Sequence, residues 1–198
     1  MRALTFMILA GLAVAPMAAK LVLPTPAVAQ AAAPVWIVDK AASSLGFRAG
    51  MSDGGGYDGK FGKWDAAIAF DPNNLAASKA TVVIDTASVT IDYSDAQEEL
   101  PSKNWLDVAT FPTATFTTKS FKSLGGNKYE AVGDLKMLNV TNEVTLPFTL
   151  TITGDTAKMD GTLTFDRSKW GLGKGKWTEG DFVNLEAGVK VSVVAKRG

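Results

Sequence analysis

The sequence predicts an all-β fold, and three observations carry the prediction. Long stretches alternate apolar and polar residues with a period of two. Turn-forming clusters separate those stretches, and only one segment carries helix signals. Regular short strands with so little helix indicate either a β-sandwich or an up-and-down barrel.

The strands follow in order. Residues 36–39, 45–49, 59–70, 79–85 and 113–121 read as strands of modest strength. The stronger signals lie in the second half. Tyr129, Ala131, Gly133, Leu135 and Met137 alternate with Glu130, Val132, Asp134 and Lys136. Val144, Leu146, Phe148, Leu150 and Ile152 alternate with threonines and with Pro147. Met159, Gly161, Leu163 and Phe165 form a third series, and Leu185 to Ala195 a fourth that faces away from Glu186, Lys190 and Lys196. The total is about eight or nine strands. Pro147 has no N–H for a ladder, so it marks an edge, a bulge or a bend, and an exposed edge there would permit a homodimer.

Residues 94–108 interrupt this pattern. Ser94 followed by Gln97 has the capping-box form, Pro101 stops the run, and Ser102 is placed to cap a second turn through Trp105 and Leu106. Two short helices are expected here. Because Leu100, Trp105, Leu106 and Phe111 lie on this insertion, it is expected to plug or cover something apolar.

The first 29 residues read as a secretory signal: Arg2, an apolar run from Leu4 to Ala19, and a small-x-small ending at Ala27-Val28-Ala29. A membrane anchor is the alternative, but Lys20 ends the run short of the ~20 apolar residues that a span requires. The expectation is an exported protein whose mature chain, residues 30–198, is one domain without stable membrane insertion.

Composition excludes much chemistry. The chain has no histidine and no cysteine, which removes His-dependent triads, His-ligated zinc or haem, and disulfide stapling. The balance of 20 basic and 20 acidic residues, without a basic cluster, argues against nucleic acid as a partner. No metal site is expected; the acids near Gly54-Gly55-Gly56 lack calcium-loop spacing. Asp92, Asp95, Glu98 and Glu99 are the candidate carboxylates for a hydrolase, and the plain alternative is a solvated first helical turn. No catalytic residue is assigned.

Aromatic placement is more informative. Phe47, Phe61, Trp64, Phe70, Phe116, Phe148 and Phe165 all fall on the buried parity of their strands. A small barrel either fills its interior with such side chains or holds one ligand among them, and parity does not separate the two cases.

The order of blocks resembles the YceI-like family, exported lipocalin-like proteins that bind polyisoprenoids. Trp36-Ile37-Val38-Asp39 with Phe47 matches its opening. Gly59, Phe61, Trp64 and Phe70-Asp71 match the next block. Leu100, Trp105-Leu106-Asp107 and Phe111-Pro112 form the most recognisable block, and Val140-Thr141 with Leu146-Pro147 and Asp166-Arg167-Ser168 follow. At Leu138-Asn139 the pattern leads one to expect a polar or aromatic residue and a glycine.

The resemblance implies an antiparallel lipocalin-like barrel of about eight strands with one or two short helices near residues 94–108. It implies a periplasmic binding or carrier protein, not an enzyme, for a long-chain isoprenoid or fatty amphiphile such as a quinone or prenyl phosphate. No other cofactor is expected. The tail would lie against Phe47, Phe61, Trp64, Ile68, Phe116, Leu135, Met137, Phe148 and Phe165, with Leu100, Trp105 and Leu106 near the opening. Arg48, Lys63 and Arg167 are the candidate head-group contacts; each is otherwise a solvated cation or part of a structural ion pair. A solid-core β interaction module and a carboxylate-dependent hydrolase are the rival readings.

Overall fold

The computed structural model describes residues 32–198. The expected signal peptide and the first residues after it lie outside the described residues.

Alternation builds the strands as expected. The first six are short: β1 (Val35–Val38), β2 (Ser44–Met51), β3 (Gly56–Phe61), β4 (Trp64–Ala69), β5 (Lys79–Asp85) and β6 (Val89–Ile91). The last five are long: β7 (Thr113–Gly125), β8 (Lys128–Met137), β9 (Val140–Thr153), β10 (Thr156–Asp166) and β11 (Val183–Arg197). All pair antiparallel in one sheet. β1 and β2 run along β11 one after the other, with Trp36 opposite Arg197 and Phe47 opposite Val189. β3 then pairs with β2 and β4 with β1, while β6 pairs with β3 and β5 with β4. The six short strands therefore make three staves, each broken once. With the five long strands they form a closed eight-strand antiparallel barrel in up-and-down order.

The stretch 59–70 is not one strand. It breaks at Gly62-Lys63, where the Gly62 N–H donates to the Ser88 carbonyl at 3.0 Å and the Lys63 N–H to Ser88 Oγ at 3.0 Å. These bonds stitch the break of one stave to the break of the next. The closed sheet also settles the position of Pro147. It pairs with Glu130 of β8 on one side, and on the other the β10 ladder stops one residue short of it, so the proline marks a local edge at which one ladder ends.

The insertion contains one helix, α1 (Ser94–Glu99), not two. Beyond Pro101 the chain makes linked turns, with Trp105 N–H on the Ser102 carbonyl and Asp107 at φ 43. No capping box forms, because Tyr93 is the N-cap and Ser94 already lies inside the helix. Gln97 does something else. Its Oε1 accepts from the Ile91 N–H at 3.0 Å and its Nε2 donates to the Val89 carbonyl, so a side-chain amide continues the ladder on the outer edge of β6. The β8–β9 turn is Leu138-Asn139, with Leu138 at φ 52, a conformation that favours glycine.

Two apolar clusters follow from strand polarity. One gathers Trp36, Phe70, Tyr129, Phe148 and Ala195, from β1, the residue after β4, the start of β8, the later part of β9 and the end of β11. The other gathers Val89, Trp105, Leu106, Leu135, Val144, Trp170 and Leu172 at the opposite end.

Candidate functional site

Side chains of one parity from every stave point into the barrel, and between the two clusters they do not meet. The interior holds a cavity of about 190 Å³, within about 1360 Å³ of space not filled by atoms once the solvent at its open side is counted. Its walls are aliphatic and aromatic, with Thr118 as the one hydroxyl among the lining residues. That hydroxyl is already engaged: it accepts from the Ala80 N–H at 2.8 Å and donates to the Ala80 carbonyl at 3.1 Å. The arrangement compensates a bulge in β7 between Thr118 and Ser120. The wall thus offers dispersion contact and presents no polar surface to the cavity.

Of the side chains singled out from sequence, Phe61, Trp64, Ile68, Phe116, Leu135 and Phe148 line the cavity together. Trp36, Val82, Ile84, Phe121, Met159 and Val191 also line it and were not singled out. Period-2 parity in 79–85, 113–121 and the last two strands was the signal that could have found most of them. Phe47, Met137 and Phe165 face inward but pack in the second cluster, beneath the cavity. Leu100 packs there as well, and Trp105 and Leu106 are buried in it. These three were expected near the opening. They close an end instead, because the insertion folds under the barrel.

The closed end is organised by Arg167. It is 3% exposed and forms no ion pair among the described residues. Its Nε donates to the Asn184 carbonyl at 2.9 Å, and one terminal nitrogen donates to Leu172 at 2.6 Å. The other donates to Trp177 at 2.6 Å and Val183 at 2.8 Å. The guanidinium also lies 4.9 Å from the Trp105 ring centre, a cation–π contact. Burial pushes its pKa down from the ordinary value, although a guanidinium stays charged. A Cβ at Gly173, φ 85, would collide with this guanidinium. The geometry therefore corrects the head-group expectation for Arg167, since its donors are directed at backbone carbonyls. Next to it, Asp166 Oδ1 accepts from the Ser168 N–H at 2.9 Å and hydroxyl at 2.6 Å, which holds that carboxyl below its ordinary pKa.

The other two head-group candidates lie on the surface. Arg48 pairs with Asp58 at 2.9 Å, and Lys63 is exposed beside the β3–β4 break. The acidic turn stays outside the cavity. Glu99 Oε1 accepts from Asn104 at 3.1 Å, Trp177 at 3.3 Å and Ser102 at 3.4 Å, and so latches the insertion to the β10–β11 connection. Asp95 accepts from Tyr93 and Ser94.

Known proteins share this architecture. BcnA of Burkholderia cenocepacia superimposes with a TM-score of 0.75 at 32% identity, covering 80% of this chain and 99% of that one. A polyisoprenoid binding domain from Saccharophagus degradans, implicated in plant cell wall breakdown, superimposes at 0.63 with 12% identity, over 83% of this chain and 99% of that one. A UPF0312 protein of Vibrio vulnificus is 31% identical over 126 residues, 64% of this chain and 67% of the relative. A UPF0312 protein of Yersinia pestis is 39% identical over 97 residues, about half of each chain. The model of the YceI-like domain matches residues 36–195, from Trp36 in β1 to the alanine that pairs with Val38 across the barrel seam. A match of that extent, on a barrel with this interior, establishes that the chain belongs to the YceI-like family.

Proposed function

We propose that this protein is a periplasmic binding or carrier protein that holds the chain of a polyisoprenoid lipid, or of a similar amphiphile, inside the barrel. The observation that carries the reading is the cavity itself, an apolar void whose one lining hydroxyl is already bonded to backbone. Transfer of each CH₂-sized group from water to such a wall gains about 0.8 kcal/mol, so several isoprene units bind without any directional contact. The likeness to a polyisoprenoid binding domain supports the ligand class. The leader at residues 1–29 supports export.

A solid-core interaction module fits less well, because inward residues such as Ile68, Phe116 and Val191 remain partly accessible to solvent. A carboxylate-dependent hydrolase fits less well again, because Asp95 and Glu99 do not line the cavity.

Native mass spectrometry of protein purified from its own periplasm tests the proposal. A stable adduct of lipid mass is expected. Protein that arrives empty, and then takes up neither a quinone nor a prenyl phosphate, would overturn it.

A further inference from the structure

Apolar clusters gather at both ends of the barrel, which raises the question of where a long molecule crosses the wall. The β9–β10 seam supplies a place. Its ladder runs from Thr153 opposite Thr156 to Phe148 opposite Gly161 and stops there, although both strands continue. Pro147, the next residue of β9, has no N–H with which to extend it. Gly161, the last residue of β10 paired with β9, adds no side chain to the wall; the Pro147 carbonyl and the Phe148 and Leu146 side chains lie 3.0–3.2 Å from where a Cβ would stand, so passage requires these groups to move aside. A groove on the outer surface lies over this point, and Phe148 and Val191 line both the groove and the interior cavity. The groove also carries Lys128 and Lys190, neither of which forms an ion pair among the described residues, and the half-exposed Leu124. One acid, Asp160, shares it and accepts from Ser192 at 2.7 Å.

We infer that the seam beside Pro147 and Gly161 is the portal through which the amphiphile enters the barrel, and that an anionic head group remains outside it on Lys128 and Lys190. The inference rests on the cavity reading above. An apolar chain passing between two strands that share no hydrogen bonds breaks no backbone pair, whereas at a paired seam it would strand buried donors and acceptors. Two cations against one acid leave the rim positive, which selects a phosphate or carboxylate head over a neutral one.

Two arms test it, with intrinsic tryptophan fluorescence, to which Trp36 and Trp64 on the cavity wall contribute, following uptake. Because the chain has no cysteine, Pro147→Cys with Thr162→Cys places one thiol on each exposed side of the seam. Bridging these by a short bifunctional reagent, verified by mass, is expected to slow uptake of geranylgeraniol about tenfold or more, as stapling a gate does. Unchanged uptake in the bridged protein overturns the portal and leaves the cavity reading intact. No uptake by the unbridged parent overturns both. In the second arm, Lys128→Glu with Lys190→Glu is expected to weaken geranylgeranyl phosphate on the order of tenfold and to leave geranylgeraniol unchanged. Equal effects on the two probes, or displacement of the lipid phosphate by low concentrations of inorganic phosphate, overturn the head-group assignment.

Discussion

The two ends of the barrel are closed by different means. At the Trp36 end the strands close it with their own rings. Phe70 meets Phe121 edge-on at 5.0 Å and Tyr129 at 5.6 Å, while Tyr129 stacks on Phe148 at 5.5 Å. The Trp36 indole N–H donates to the Phe70 carbonyl at 2.9 Å. At the other end no strand supplies enough side chain, and the insertion and the β10–β11 connection are drawn under the barrel. There Arg167 gathers four carbonyls, the Trp170 indole N–H reaches the Leu135 carbonyl at 2.9 Å, and Glu99 ties helix to loop. Rings can close an end by dispersion alone. Irregular chain needs its backbone groups paired, and one buried cation pairs four of them.

The comparison can be broken most severely at Arg167. Arg167→Met strands buried carbonyls and is expected to lower the unfolding free energy by at least about 4 kcal/mol in urea denaturation. Arg167→Lys should rescue little, since one ammonium cannot span the same fork. A loss below about 1 kcal/mol would mean that the insertion holds itself in place.

A matched pair sharpens the contrast between packed end and cavity. Leu106→Ala should cost about 3 kcal/mol, whereas Ile68→Ala, which already faces the void, should cost about half of that or less. Equal costs would place Ile68 in a filled core. Val82→Phe probes the same point from the other side. In a void the larger ring fits within about 1 kcal/mol of parent stability and reduces lipid uptake, whereas in a packed interior it destabilises by more. The smallest effect is expected at Asp166. Its folded pKa is depressed, so its contribution is present above the ordinary carboxyl pKa and is lost as pH falls through the folded value. Asp166→Asn should therefore flatten only the acid limb of the stability profile. A change in that profile's slope near pH 7 would contradict the assignment.

The same contrast explains how far the sequence could be read. The ring end was legible, because period-2 parity is a property of each strand and needs no partner to be seen. Six of the twelve expected contact residues line the cavity for that reason. The other end was legible only in part: the insertion carrying Leu100, Trp105 and Leu106 was expected to plug or cover something apolar, and it packs into that end, but what holds it there was not visible. Arg167 bonds to carbonyls, which carry no sequence signature, and a lone arginine looks like any surface cation. The capping-box form at Ser94 misled because Gln97 found better partners in the unpaired edge of β6. Of the three breaks, the one between β1 and β2 was read as two strands, the one at Gly62-Lys63 was hidden between Phe61 and Trp64, and the three-residue β6 was too short to show a period. Leu138-Asn139 was flagged as a departure, and the left-handed residue of the turn is Leu138, not Asn139, where the glycine was expected.

Gln97 also bears on what keeps this protein from associating with itself. Besides the unpaired part of the β9–β10 seam, the barrel has an open edge where a stave is short, and β6 is three residues long. By occupying the Ile91 N–H and the Val89 carbonyl, the amide removes the stretch of backbone on which a strand from another molecule would nucleate. The glutamine then protects colloidal stability more than thermal stability. Gln97→Ala should fold and bind lipid as the parent does, yet form sheet-rich assemblies sooner when concentrated.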